Sequence, residues 1–262
     1  MDDDIEIHMY EDIDLSNAML IESFPTVGLV STIVASYIVD SLKLRRVGAI
    51  MSKHFPPAAV VVAGQPSPPM RIYAGPKVCG PNDECDQVVV LTSEFTVPDE
   101  MQLPLARHIL DWATERKVRF IVSVEGTGVS DEEKPDDAEL EVFYACSTER
   151  TCKHMEKFKA QPMKMGIVSG ISGVILYLGQ IRGIDAMCLL APAHMQFPDA
   201  RAAARLIRLI DDMLPMVEID TKPLLEEASK IEKNIQEALE MMRKGLESRK
   251  RVGELPQTGM YG

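Results

Sequence analysis

The residues best suited to chemistry in this chain are two groups of glycines. Gly126-Thr127-Gly128 closes the apolar run Phe120 to Val124. Loops at the carboxyl ends of such buried strands are where α/β proteins hold ligands. Gly166, Gly170 and Gly173 lead into another apolar run. Backbone amides at a helix start could meet an anion there. The same glycines would let a helix pack closely, and close packing is the preferred reading. Two glycines are not a dinucleotide fingerprint, and neither a phosphate-loop motif nor G-x-S-x-G occurs. His8, His54, His108, His154 and His194 are scattered, without H-E-x-x-H. His194 follows the last core strand and is the histidine expected near a strand-end cleft. His108 is expected on the exposed side of its helix. The seven carboxylates of the acidic loop 131–141 lack the apolar setting that would separate their pKa values. No nucleophile, base and orienting group assembles, so no catalytic residue is assigned. Cys79, Cys85, Cys146, Cys152 and Cys188 show no C-x-x-C spacing and suggest no zinc site. Cys79 and Cys85 flank a turn-like loop where one local disulfide would fit, but reduced thiols are the preferred reading.

A different chemistry sits at the chain end. Met260-Tyr261-Gly262 reads hydrophobic residue, tyrosine, any residue, then the carboxylate. Such a tip can dock by an aromatic anchor, an apolar neighbour and a charged terminus for a cationic pocket. Fraying is the ordinary alternative.

The elements that must carry these residues follow from periodicity. Ile5 to Met9 alternates and predicts a strand; Ala18 to Ile21 predicts a buried one. Phe24 to Gly28 is a turn, and Leu29 to Leu42 a helix apolar nearly all round, expected to be covered on both sides. Val47 to Met51, Ala58 to Val62 and Arg71 to Ala74 read as strands, with Gln65 to Pro69 kept irregular by proline. Val88 to Leu91 and Phe120 to Val124 read as central strands, flanking a helix from about Pro98 to Arg116. Glu141 to Ala145 and Ala186 to Ala191 are later strands, Gly166 to Leu178 a loop entering a buried helix, and Pro198 to Met213 a helix. The class is α/β: a three-layer sandwich with a mixed sheet over residues 1–215. Leu224, Ala228, Ile231, Ile235, Ala238, Met242 and Leu246 then mark a long heptad-patterned C-terminal helix over 216–252. It either packs on its own domain or self-associates. Residues 253–262 form a flexible tail with the docking tip.

Forty acidic against 28 basic residues leave a net charge of −12, which disfavours nucleic-acid binding. The acidic start is no signal peptide, and the uncharged stretches Ser23 to Val39 and Met165 to Ile181 fall short of a membrane span. The expectation is a cytoplasmic protein.

Several motifs occur together in order: Phe24-Pro25-Thr26-Val27-Gly28-Leu29-Val30, Phe55-Pro56-Pro57, Pro68-Pro69-Met70-Arg71-Ile72-Tyr73, Val89-Val90-Leu91-Thr92-Ser93-Glu94, Glu125-Gly126-Thr127-Gly128 and Gly166 to Gly173. Over about residues 15–213 the chain resembles the archaeal homologues of eukaryotic proteasome assembly chaperone two. Ser23 and Thr26 depart from it, standing where glycine is common. The resemblance implies a nucleoside phosphorylase-like α/β/α sandwich without a recognised catalytic set; no cofactor or metal is expected. It implies homo-oligomers whose C-terminal tails dock between α subunits of the proteasome core particle. Met260 would be the tail's hydrophobic residue, Tyr261 its penultimate tyrosine and Gly262 its carboxylate. The alternative is a nucleoside phosphorylase-like or ATP-dependent ligase-type enzyme, holding an anion at Gly126, Thr127, Gly128, Gly166, Gly170 and Gly173.

Overall fold

The computed structural model describes residues 5–81, 85–129, 141–195, 198–224 and 226. In chain order the elements are β1 (Ile5–Met9), β2 (Met19–Ser23), a 3-10 turn (Val27–Leu29), α1 (Val30–Ser41), β3 (Arg45–Ser52), β4 (Val60–Val62), β5 (Gln65–Ser67), β6 (Met70–Ala74), β7 (Val78–Cys79), β8 (Cys85–Asp86), β9 (Val88–Ser93), α2 (Asp99–Glu115), β10 (Phe120–Val129), β11 (Phe143–Cys146), α3 (Glu149–Met155), β12 (Gln161–Pro162), α4 (Gly170–Arg182), β13 (Ala186–His194) and α5 (Ala200–Asp212).

Nine strands form one sheet in the order β1-β3-β6-β9-β2-β10-β13-β11-β12. Its centre, β9-β2-β10-β13, is parallel. These four strands carry near-continuous apolar runs because both of their faces are covered. β1, β3 and β6 extend one side antiparallel, and β11 joins the other side antiparallel to β13. Alternation along each strand splits the core in two. Ile21, Val90, Val122 and Leu189 face α1 and α5, while Leu20, Leu91, Ile121 and Ala186 face α2 and α4. The result is three layers: helices, mixed sheet, helices.

Helix α5 shows how local sequence positions an element. Ala203, Leu206, Ile207 and Ile210 are buried at helical spacing. Asp199 starts the helix, accepting from the Ala202 amide at 2.9 Å and, through its other oxygen, from the His194 amide at 3.1 Å. One buried carboxylate thus caps the helix and ties it to the end of β13. Asp199→Ala is expected to cost about 2 kcal/mol, measured by urea unfolding.

Several expectations change. Val60 to Val62 pairs only with Gln65 to Ser67, a projecting hairpin outside the main sheet, so Ala58 to Val62 is no sheet strand. Pro66 is tolerated in that hairpin because a two-stranded ribbon leaves its missing N–H off any continuing ladder. Pro198 lies outside α5, whose cap is Asp199. Helix α3 had no clear periodicity; it starts on a Thr148–Thr151 capping box. Cys79 and Cys85 are joined in a disulfide, which corrects the expectation of reduced thiols for that pair. The expected helix 216–252 starts later than its pattern implied: 216–221 are not helical, helix begins at Lys222, Leu224 is buried, and the rest of the heptad run and the tail lie outside the described residues. So does the acidic loop, apart from Glu141. Among the described residues no helix is long and apolar enough to cross a membrane.

Candidate functional site

The carboxyl ends of the parallel strands hold an unusual group. Glu22 is the penultimate residue of β2, Ser123 lies opposite it on β10, and Cys188 lies opposite Ser123 on β13. Glu125 is two residues on from Ser123, so it points to the same face. That face is the α2/α4 side, and Ser172 from the first turn of α4 comes down between the two carboxyls. Its hydroxyl donates to Glu125 Oε1 at 2.5 Å and lies 3.5 Å from Glu22 Oε2. Glu22 is 1% exposed, and its Oε1 has no hydrogen-bond partner. The Ser123 hydroxyl is close enough to favour ionised Glu22 without making a well-formed hydrogen bond.

Two carboxyls in an apolar layer cannot both ionise cheaply. Burial, and then the neighbouring Glu125, push the Glu22 carboxyl up to about 8, against partial relief from the two serine hydroxyls. Burial pushes Glu125 up to about 7, against its bond to Ser172. The Cys188 thiol, fully buried beside both, is raised well above the usual thiol range, by burial first and then by Glu125 and Glu22. The group therefore holds protons at neutral pH, and its one good hydrogen bond is supplied by Ser172. Such a pair could serve as a general acid only if substrate reached it. Two cavities among the described residues open elsewhere. One, of about 500 Å³, lies beside the β4–β5 hairpin, lined by Ile50, Phe55, Pro57 and Pro68; the other lies near Lys77 and Gln87.

The glycines expected to form anion loops are placed differently from a phosphate cradle. Gly126-Thr127-Gly128 is no loop: β10 continues through it, paired with Ala191, Pro192 and Ala193 of β13. A Cβ on Gly126 would come well inside 3.0 Å of the Val27 carbonyl oxygen. The Gly126 amide donates to Thr26 Oγ1 at 3.4 Å. The departure at Thr26 thus supplies that amide's acceptor. A Cβ on Gly173 would collide in the same way with the Val168 carbonyl, so the glycine lets the backbone at Val168 lie on α4. Gly170 opens α4, Gly128 faces the flexible Met195 side chain, and Gly166 faces Met163.

His194 ends β13 at the strand-end side, with its amide on Asp199. His108 is half-buried rather than exposed, with Nδ1 2.9 Å from the Pro104 carbonyl. His154 stacks on Phe120 at 4.8 Å, and burial, then Arg119 and Lys157, lower its pKa. Among the described residues no three His, Cys, Asp or Glu side chains converge as a metal site. Met260, Tyr261 and Gly262 lie outside the described residues. Sequence reading missed Glu22 and Glu125 as a pair. The available signal was a carboxylate ending one wholly apolar strand run and another immediately following the next.

Fold and site together define a mixed-sheet α/β domain in which the buried Glu22 and the partly buried Glu125 share the Ser172 hydroxyl. The chain belongs to the PAC2 family, whose model matches residues 20–239. An uncharacterised protein of Methanocaldococcus jannaschii is 26% identical over 228 residues, 87% of this chain and 88% of its own length. Among solved structures, the chain is similar to Pyrococcus furiosus PbaA, an archaeal homolog of proteasome-assembly chaperone, at 26% identity and TM-score 0.77, covering 92% of this chain and 99% of that one. Pyrococcus furiosus PbaB, an archaeal proteasome activator, shares the fold at 23% identity and TM-score 0.74, covering 90% and 98%.

Proposed function

We propose that this chain is a non-enzymatic proteasome assembly chaperone or activator-like protein that acts as a homo-oligomer. The α/β/α core carries the oligomer, and the tails bind the proteasome α ring. The observation that carries the role is the likeness to PbaA over 92% of the chain, within the PAC2 family. The strand ends favour a binding protein over the alternative enzyme, because backbone fills the space beside Gly126 and Gly173 and Glu22 is buried.

The tail chemistry follows from three residues. The terminal carboxylate of Gly262, with a pKa of about 3.3–3.7, is ionised at neutral pH and can pair with a pocket cation. Tyr261 can bury its ring while keeping its hydroxyl bonded, and Met260 adapts to an irregular apolar surface. One tail binds weakly, because ordering its leader costs free energy. Several tails on one oligomer gain about 10²–10⁴-fold in avidity.

Deleting Met260 to Gly262, or replacing Tyr261 with Ala, is expected to abolish co-purification with proteasome α rings while thermal unfolding stays unchanged. Appending residues after Gly262 should act like the deletion, since it moves the carboxylate. Unchanged capture of α rings by the deleted chain would remove the tail from this reading.

A further inference from the structure

The carboxyl pair at the strand ends lacks partners that its burial demands. Glu22 is 1% exposed and Ser123 0%, yet Glu22 Oε1 and Ser123 Oγ have no hydrogen-bond partner. The two residues stand in register on β2 and β10, so both orphan oxygens lie on the α2/α4 face of neighbouring strands. A buried polar atom costs free energy unless something meets it. Glu125 and Ser172 complete the surround, with Ser172 Oγ 2.5 Å from Glu125 Oε1 and 3.5 Å from Glu22 Oε2. The other neighbours carry no charge. β9 presents Leu91 opposite Glu22, β13 presents the Cys188 thiol opposite Ser123, and α2 packs Met101, Leu105 and Ile109 into the same layer. Among the described residues no lysine, arginine or histidine acts on either carboxyl.

A water between Glu22 and Ser123 would bridge the orphan atoms but leave the two like charges unanswered. A cation does both. Carboxylates with hydroxyls are a hard oxygen set, which suits calcium or magnesium rather than zinc or copper. Magnesium demands a near-ideal octahedron and keeps several waters, for which the buried Glu22 and Ser123 leave little access. Calcium accepts irregular geometry and carboxylates that bind through both oxygens. Glu22 and Glu125 bound in that way, with the Ser123 and Ser172 hydroxyls, offer about six oxygens, within the roughly six to eight that calcium takes. Two carboxylates also match a double positive charge. Glu125 is only partly buried, which gives an ion a way in from its side.

We infer that Glu22, Glu125, Ser123 and Ser172 form a binding site for a divalent cation of calcium type, joining β2, β10 and α4. The ion takes the place of the protons that the pair otherwise holds, so binding releases protons and strengthens as pH rises. Cys188 stays a thiol and is no ligand. Because hydroxyls supply half of the side chains, the set is not a cluster of three His, Cys, Asp or Glu groups.

The test uses the full chain, stripped with a chelator and unfolded thermally near pH 8, where Glu22 and Glu125, raised to about 8 and about 7, release protons. Calcium chloride is added at constant ionic strength in potassium chloride. At a calcium level about 100-fold above the dissociation constant, Tm should rise by about 5–10 °C, and chelator should reverse the rise. Calorimetric titration should show protons released on binding. Glu22→Gln should lose the rise, and so should Ser123→Ala, which keeps both carboxyls; the cooperative unfolding of each variant without calcium shows that it folds. Calcium can also meet the seven carboxylates of the acidic loop 131–141. A rise of wild-type size in Glu22→Gln would place the ion there and overturn this site. A rise with sodium but none with calcium would overturn the divalent assignment. No rise with either ion would refute the inference.

Discussion

Raising the pH from about 5 to about 8 is expected to remove up to about 6 kcal/mol of folding stability, and Glu22→Gln to abolish roughly half or more of that loss. In the unfolded chain both carboxyls titrate near the ordinary 4.5, whereas folding lifts Glu22 to about 8 and Glu125 to about 7. Between those values the folded state holds protons that the unfolded state has released. Stability therefore falls with rising pH, at up to about 1.4 kcal/mol per unit for each group. The contribution is fully present below about 4.5 and is lost as pH rises through 7 and 8. Because Glu22 and Glu125 share the Ser172 hydroxyl, the pair titrates as a unit. Cys188 stays a thiol across this range, its titration pushed well above the usual value. Glutamine has the shape of a protonated carboxyl and cannot ionise, so Glu22→Gln should be more stable than wild type at pH 8 and flatter in pH. Urea unfolding of both chains at pH 5, 6.5 and 8 reads this directly. A parallel decline in the two chains would mean that Glu22 is ionised in the folded protein.

Gly126→Ala is expected to cost about 3 kcal/mol or more, beyond an ordinary overpacking substitution. The added methyl would meet the Val27 carbonyl, which is backbone and sits in the 3-10 turn before α1. Moving it disturbs three neighbours at once. The Gly126 amide would lose its contact with Thr26 Oγ1, which itself donates to Ser31 at 3.1 Å. Ser31 in turn donates to the Phe24 carbonyl. The pairing of Gly126 with Ala191 holds the strand in place on its other side, so β10 cannot easily retreat. Gly64→Ala is the control: that glycine sits on the hairpin with open space where a methyl would go, and its positive φ predicts a smaller cost of about 1 kcal/mol. Chemical denaturation of the two variants ranks the effects. A Gly126 variant no worse than the Gly64 variant would show that the turn yields to the strand.

Both sites tie the sheet to the segments packed on it. The carboxyl pair links β2, β10 and α4, and the glycine contact locks the turn before α1 against β10. The glycine contact supports the rigid core that the proposed oligomer and its tails require. Preorganisation of that kind favours avidity, since copies held in fixed relation need less ordering on binding.

What sequence alone determined was the alternation of apolar strands and helices, and with it the mixed α/β class. Runs such as Val88 to Leu91 and Ala186 to Ala191 could be buried only if covered on both faces, so helices on both sides followed from pattern. Ordered short motifs also pointed to the family, which the match over residues 20–239 shows. The hairpin at Val60, the short α3 and the continuation of β10 through Gly126-Thr127-Gly128 were not legible. Each depends on what a neighbouring segment offers: a paired strand, a capping box, a register with β13. The carboxyl pair was hidden for the same reason. Glu22 and Glu125 stand 103 positions apart, and Ser172 another 47 beyond Glu125. Only the parallel order β2-β10-β13, under the first turn of α4, brings them to one hydroxyl. A charge in sequence is a property of one residue, whereas a shared proton is a property of a place, and tertiary packing makes the place.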